Sequence, residues 1–288
     1  MADRIRAGRV NLGCRIWGTG PVPVLFVHGN LASKDWIELA APWVPADLRI
    51  IGIDWRGCGD SDRPAPVPGY TNYSMQRHAE DMIAALDTLG VARCHLATHS
   101  TGGFIAARMQ LMQPDRFGKI LALDPVAPFG LKFEPRAIDG FRAMQAGQEL
   151  TRKVMAGVAP ALFRGDVAQA GGMPEFRSGI AAQARLFDRI VRQSFAVADG
   201  IWLGTPLNLT AEFDSGEVAA RVGELRHETL VLWGERDGII PLADMQRMAA
   251  ELPDCRLVRV PGIGHSMNIE APLLYAGYFG AMFSGVPV

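Results

Sequence analysis

Short apolar runs recur along this 288-residue chain, most of them followed by a helix-like stretch. The runs are Val24-Leu25-Phe26-Val27, Ile50-Ile51-Gly52-Ile53, His95-Leu96-Ala97, Ile120-Leu121-Ala122-Leu123, Thr229-Leu230-Val231-Leu232-Trp233 and Leu257-Val258-Arg259-Val260. Most are apolar almost throughout rather than at every second position, as in parallel strands covered on both faces. Residues 74–89 place Met75, Ala79, Met82, Ile83, Leu86 and Leu89 on one helical face, with Ser74 to cap the start and Gly90 to stop it. Strand alternating with helix implies βαβ units and an α/β fold. The earlier run Val10–Trp17 is expected to be an antiparallel edge strand.

The rhythm breaks once, between Leu123 and Thr229, over a stretch too long for a simple loop. Helical patterns fill it, for example 137–155 and 175–197, interrupted at Gly171-Gly172 and again over 200–206. Because strand-helix units resume afterwards, residues 128–223 are read as a helical insertion into one core made of 1–127 and 224–288.

Composition is that of an ordinary globular protein, 49% hydrophobic and 20% charged. With 29 basic and 30 acidic residues, the net charge of -1 gives no electrostatic case for nucleic acid or an anionic membrane surface as a partner. Cys14, Cys58, Cys94 and Cys255 lack CxxC or zinc-type spacing, so no metal is expected. Cys94 and Cys255 open apolar runs and are expected to be buried thiols. The opening MADRIRAGRV has no apolar segment of the signal type, and no run approaches a membrane span. A cytoplasmic protein, monomer or homodimer, is the expectation.

In an open α/β sheet, ligands bind beyond the carboxyl ends of the strands. The run ending at Ala97 continues into Thr98-His99-Ser100-Thr101-Gly102-Gly103, and a helix follows. A serine on such a strand-to-helix turn projects clear of the sheet, and the Thr101 amide points from the helix start to where an oxyanion would form. Gly102 suits the crowded turn; Thr98 stands where the G-x-S-x-G pattern has glycine. A hydroxyl needs a base, and His265 follows the last strand on the loop Val260-Pro261-Gly262-Ile263-Gly264. An imidazole in that role needs a carboxylate. Asp237 supplies one after the preceding strand, and Asp124, at the end of another, is the rival acid; Glu235 and Asp54 are weaker, Asp54 as the brace of its own turn. After the first long strand comes His28-Gly29-Asn30, whose Asn30 amide is assigned as the second oxyanion donor and whose His28 is assigned a structural role.

With HGN at 28–30, DWRGCGDSDRP at 54–64 and the order Ser…Asp…His, the chain resembles the α/β-hydrolase superfamily, in its capped serine-hydrolase form, over nearly everything but the insertion. That resemblance implies a mostly parallel eight-stranded sheet flanked by helices, a helical cap between strands 6 and 7, no cofactor, and an acyl-enzyme formed on Ser100, with His265 and Asp237 in the triad positions. The HGN loop is similar to that of haloalkane dehalogenases, whose Asn side chain helps hold halide, but those enzymes attack with Asp. Ser100 would form an alkyl ether that does not readily hydrolyse, which also counts against epoxide opening. Ser266 stands where carbon–carbon bond hydrolases of aromatic-ring breakdown usually carry an aromatic.

The expected reaction is therefore hydrolysis of an ester, lactone or thioester of a small to medium, moderately hydrophobic substrate. Acyl transfer or carbon–carbon hydrolysis on the same triad, and a ligand receptor that keeps the scaffold, are the alternatives. The insertion offers Phe133, Phe141, Met144, Met155, Leu162, Phe163, Phe187, Phe195 and Trp202, most of them expected to pack helix on helix and some to line a cavity above Ser100.

Overall fold

The computed structural model describes residues 3–165 and 172–288. Strands β1 (Asp3–Ala7), β2 (Val10–Trp17), β3 (Val22–Val27), β4 (Leu48–Ile53), β5 (Cys94–His99), β6 (Phe117–Leu123), β7 (Thr229–Gly234) and β8 (Cys255–Val260) form one sheet. Their order is β1-β2-β4-β3-β5-β6-β7-β8. From β4 to β8 every neighbouring pair is parallel.

β2 is antiparallel to β4, as expected, but it is not the edge. β1 covers its outer side, from Asp3 opposite Cys14 to Ala7 opposite Val10. Half of β1 faces water, with Arg4 and Arg6 exposed, so it carries no apolar run. Charge on an outermost strand also discourages edge-to-edge pairing. Cys94 is buried, whereas Cys255, at the start of edge strand β8, is only half-buried.

The inner strands are apolar throughout because consecutive residues enter different cores. Leu25, Val27, Leu96, Ile120, Ala122 and Val231 belong to one. Val24, Phe26, Ala97, Leu121, Leu123 and Leu232 belong to the other. Helices α1 (Met75–Thr88) and α2 (Gly102–Met112) cover the first face through Met82, Phe104 and Met109. The Ser74 hydroxyl caps α1 by accepting from the Arg77 amide, and Gly90, at φ +66, follows its end.

Between β6 and β7 lie α3 (Pro135–Ala146), α4 (Gln148–Val158), α5 (Ala181–Phe195), α6 (Asp199–Trp202), α7 (Gly204–Ser215) and α8 (Glu217–Ala220). The single helical pattern at 137–155 is two helices, because Gly147 adopts an extended backbone between them. The pattern at 175–197 shortens to α5; Phe176 bridges to Phe163 instead of joining the helix. Residues 200–206, expected to interrupt, are largely helical. Gly200 is needed there because a Cβ would lie 2.2 Å from the Tyr73 ring, and Pro206 sits in the first turn of α7, where an amide proton has no intrahelical partner. Gly171 falls outside the described residues. After β7 come α9 (Leu242–Glu251), α10 (Met267–Glu270) and α11 (Pro272–Phe283), the last covering the second face through Tyr275, Phe279 and Phe283. No helix among the described residues is long and apolar enough to cross a membrane.

A buried ion pair fixes the loop after β3. Lys34 has 1% of its side chain exposed and donates from Nζ to Asp54 at 2.8 Å and to Asp60 at 2.6 Å. Asp54 also accepts from the Lys34 and Asp60 amides, which is the bracing role expected of it. Replacing Lys34 with Met leaves that carboxylate without its cation. We expect a loss of about 3–5 kcal/mol in unfolding free energy, read from urea titration; a change within experimental error would mean the pair contributes nothing.

Candidate active site

β5 leads into Ser100, which has φ +54, and α2 starts two residues later. A non-glycine residue in this region carries roughly 1–3 kcal/mol of strain and persists only where neighbours impose it. Here the Ser100 amide donates to the Leu123 carbonyl at 3.0 Å, while its own carbonyl accepts from Gly103 and Val126. Space is tight on the near side. A Cβ on Gly29 would lie 2.8 Å from Ser100 Cβ, and one on Gly102 would lie 2.1 Å from the Val27 carbonyl oxygen. Thr98 is tolerated because it lies lower in the strand, paired with Val27 and Ala122. It borders a void of about 20 Å³ where Gly103, Ala106 and Ala107 keep the facing side of α2 small.

His265 follows β8 and is almost fully buried. Its Nδ1 donates to Asp237 Oδ2 at 2.8 Å. Asp237 Oδ1 accepts from the Ile239 and Ile240 amides at 2.7 and 3.2 Å. Burial opposes ionisation of Asp237, but His265 and those two amides outweigh it and hold its carboxyl below the usual range. Glu235 points elsewhere, paired with Arg259.

Asp124 is close by, at φ +41 and fully buried. Its Oδ1 accepts from the Gly234 amide at 2.9 Å. Burial and then the charge of Asp237 push its carboxyl well above the usual range. Asp124 Oδ2 has no donor to accept from, so a proton on Asp124, shared with Asp237, is the arrangement that satisfies both groups. One ligand-type atom from each of Asp124, Asp237 and His265 lies within 4.8 Å of the others. Of these groups, His265 Nδ1 and Asp237 Oδ2 are bonded directly to each other at 2.8 Å.

Two residues that sequence reasoning passed over hold the histidine loop. The Glu270 carboxylate accepts from the amides of Gly264, Ser266 and Ala161, which grips His265 from both sides and ties the loop to the insertion. His99 Nε2 donates to the His265 carbonyl at 2.9 Å. Burial drives the His99 pKa down to about 3, so the ring is neutral and its Nδ1 carries no proton. His99 was visible beside Ser100; nothing in the spacing marks Glu270. His28 is consumed structurally, donating from Nδ1 to the Gly29 carbonyl and accepting at Nε2 from the Trp55 amide.

Asn30, Ser100, Thr101 and His265 all line one cavity of about 310 Å³. The hydrogen bonds among the described residues do not include one from Ser100 Oγ to His265; such bonds commonly tighten only once substrate is bound. Neither the Asn30 nor the Thr101 amide donates to another backbone group among the described residues. The rest of the lining is almost wholly apolar and includes Phe133, Phe141, Met144 and Met155 from the insertion. Leu162, Phe163 and Phe187 instead pack in the second core, Phe163 stacking on Phe176 at 4.7 Å. Trp202 is buried in the first core and Phe195 packs against it.

The family model for the α/β-hydrolase fold matches residues 22–272. A fluoroacetate dehalogenase of Burkholderia sp is 32% identical over 130 residues, 45% of this chain and 42% of that protein. A protein of Pseudomonas putida described as the dihydrolipoyllysine-residue acetyltransferase component of an acetoin cleaving system is 26% identical over 92% of this chain and 64% of its own length. The chain thus spans less than two thirds of either relative. An esterase from Exiguobacterium antarcticum superposes with a TM-score of 0.76 at 20% identity, over 98% of both chains, a likeness of fold. With its eight-stranded, mostly parallel sheet and a family match over most of its length, this chain belongs to the α/β-hydrolase fold family.

Proposed function

We propose that the protein is a cofactor-independent serine hydrolase acting on neutral esters, lactones or thioesters of small to medium size, with residues 128–223 serving as its cap and 1–127 with 224–288 as its catalytic core. The observation that carries this reading is the convergence of Ser100, His265, Asn30 and Thr101 on one apolar cavity, with His265 bonded to Asp237. His265 Nε2 takes the Ser100 proton as Oγ adds to the carbonyl carbon. The oxyanion is held by the two amides. His265 then protonates the leaving group, and water activated by the same nitrogen releases the acid from Ser100. Asp237 keeps Nδ1 protonated and stabilises the imidazolium.

The lining also argues for the substrate class. Among the described residues it includes Leu31, Phe133, Phe141, Met144 and Leu209 and no Lys, Arg, Asp or Glu. A substrate carboxylate entering it would lose its hydration with no cation to replace it. Its size is at the small end for ligand pockets. Dehalogenation does not fit a serine nucleophile, for the alkyl-ether reason given above.

Two measurements test this. A fluorophosphonate probe followed by peptide mapping is expected to label Ser100, and His265→Ala is expected to abolish the labelling. In a panel of matched esters, neutral acyl chains are expected to exceed those ending in carboxylate by at least about tenfold in kcat/KM, which corresponds to about 1.4 kcal/mol. A label on another residue, or equal rates for charged and neutral acyl chains, would overturn the proposal.

A further inference from the structure

The loop that carries Asn30 is held from above by the inserted helix α5. Leu31, the residue after Asn30, has φ +53, a strained conformation for a non-glycine side chain. Its carbonyl accepts from Ser194 Oγ at 2.5 Å; the same hydroxyl lies 2.9 Å from the Ile190 carbonyl, so its single proton is shared, with the shorter arm to Leu31. One residue earlier on α5, the Gln193 side chain spans two loop residues. Its Oε1 accepts from Ser33 Oγ at 3.0 Å, and its Nε2 donates to Asp35 Oδ2 at 2.7 Å. Ser33 Oγ in turn accepts from the Asp35 amide. A turn further back, Arg189 pairs with Glu38 at 2.6 Å. Ser194 and Leu31 are buried, so the bond between them is shielded from water, whereas the Gln193 bonds are part-buried.

Ordinary helix packing would spread its contacts over apolar side chains. Here, apart from the Asp188–Arg152 pair within the insertion, the polar side-chain bonds of α5 named above go to one loop, and the shortest falls on the carbonyl of Leu31, the residue after Asn30. No residue of α5 lines the substrate cavity, so α5 can influence the reaction only through what it holds.

We propose that Ser194 and Gln193 are positioning residues by which the inserted helix α5 sets the orientation of the Asn30 amide toward the reacting oxygen. This rests on the reading of Asn30 as an oxyanion donor. It makes the insertion part of the catalytic geometry as well as a cover over the substrate. An oxyanion donor is worth about 10²–10³ in kcat when removed outright, and a donor left in place but misaligned loses part of that.

The test compares Ser194→Ala, Ser194→Thr and Gln193→Leu with wild type on a neutral ester. An aryl boronic acid, which forms a tetrahedral adduct on the nucleophile, serves as a transition-state mimic. The non-hydrolysable ketone isostere of the ester serves as a ground-state ligand. Ser194→Ala is expected to lower kcat by about 10- to 100-fold with KM within about threefold. It should weaken the boronate by a similar factor and leave ketone binding unchanged, and Ser194→Thr should recover most of the loss. Gln193→Leu, which keeps the Leu31 bond, should show the same pattern more weakly and guards against a Ser194→Ala protein that does not fold. Unchanged kcat in both Ser194→Ala and Gln193→Leu, or a kcat loss with full boronate affinity, overturns the proposal. Failure of the underlying serine-hydrolase reading would look different: wild type itself would take neither fluorophosphonate nor boronate on Ser100.

Discussion

Ser100→Ala is expected to reduce kcat on the best neutral ester by about 10⁵- to 10⁶-fold while the protein stays folded. The size of the loss follows from the sharing of labour in the site. Without Oγ there is no acyl-enzyme, and His265 with Asp237 has no nucleophile to activate. The Asn30 and Thr101 amides remain and can still stabilise attack by water, so a residual acceleration of about 10³–10⁴ over the uncatalysed reaction is expected. Stability should hardly change, because Ser100 is held in place by its backbone, through Leu123, Gly103 and Val126. Ser100→Gly should be equally inactive and more stable by about 1 kcal/mol, since glycine relieves the strain at φ +54. Calorimetry of the two variants beside their kinetics separates the chemical role from the structural one. Near wild-type turnover in Ser100→Ala would remove Ser100 from the mechanism.

The elements that place Ser100 were legible because each inner strand must satisfy two cores at once. Leu96 and Ala97 face opposite layers, and so do Leu121 and Ala122, and this writes a continuous apolar run that is hard to misread. β1 left no such mark, since one face of it is Arg4 and Arg6 in water. The helices of the insertion were legible in kind but not in extent. Gly147 breaks one because of its own backbone, whereas Gly200 permits another because of Tyr73, a residue far away in sequence. The site divides in the same way. Ser100, Asp237 and His265 each stand just past a strand end, where topology alone brings them to one edge. Glu270, His99 and Ser194 act through backbone atoms of other loops, and no spacing rule encodes such partners. The choice between Asp237 and Asp124 was open for a related reason: both strand ends reach the histidine, and only the directions of their carboxyl groups separate them.

Those directions give the two aspartates opposite expected behaviour. Asp237→Asn is expected to lower kcat by about 10³–10⁴, because an amide oxygen cannot stabilise the imidazolium and an amide NH₂ turned toward Nδ1 would favour the wrong tautomer. Asp124→Asn should keep kcat within about threefold at neutral pH. Its amide oxygen still accepts from Gly234, and its NH₂ offers Asp237 the donor that the protonated acid supplies in the native protein. The difference sharpens with pH. The groups facing Asp124 are Asp237, the Gly234 amide and, at longer range, Glu270, with His265 in the same cluster. Because the pKa of Asp124 is raised in the folded state, the stability its proton contributes is fully present below the ordinary carboxyl pKa and is lost as pH rises through the raised value. Asp237 has the reverse sign: its contribution is present above the ordinary carboxyl pKa and is lost as pH falls through its lowered one. Asp124→Asn should therefore flatten the decline in kcat/KM and in melting temperature that accompanies loss of the Asp124 proton as pH rises, and leave the decline set by Asp237 at falling pH as it was. If Asp124→Asn instead matched Asp237→Asn in its loss of kcat, or left the decline at rising pH unchanged, Asp124 would not be a carboxyl that carries its proton beside an ionised Asp237.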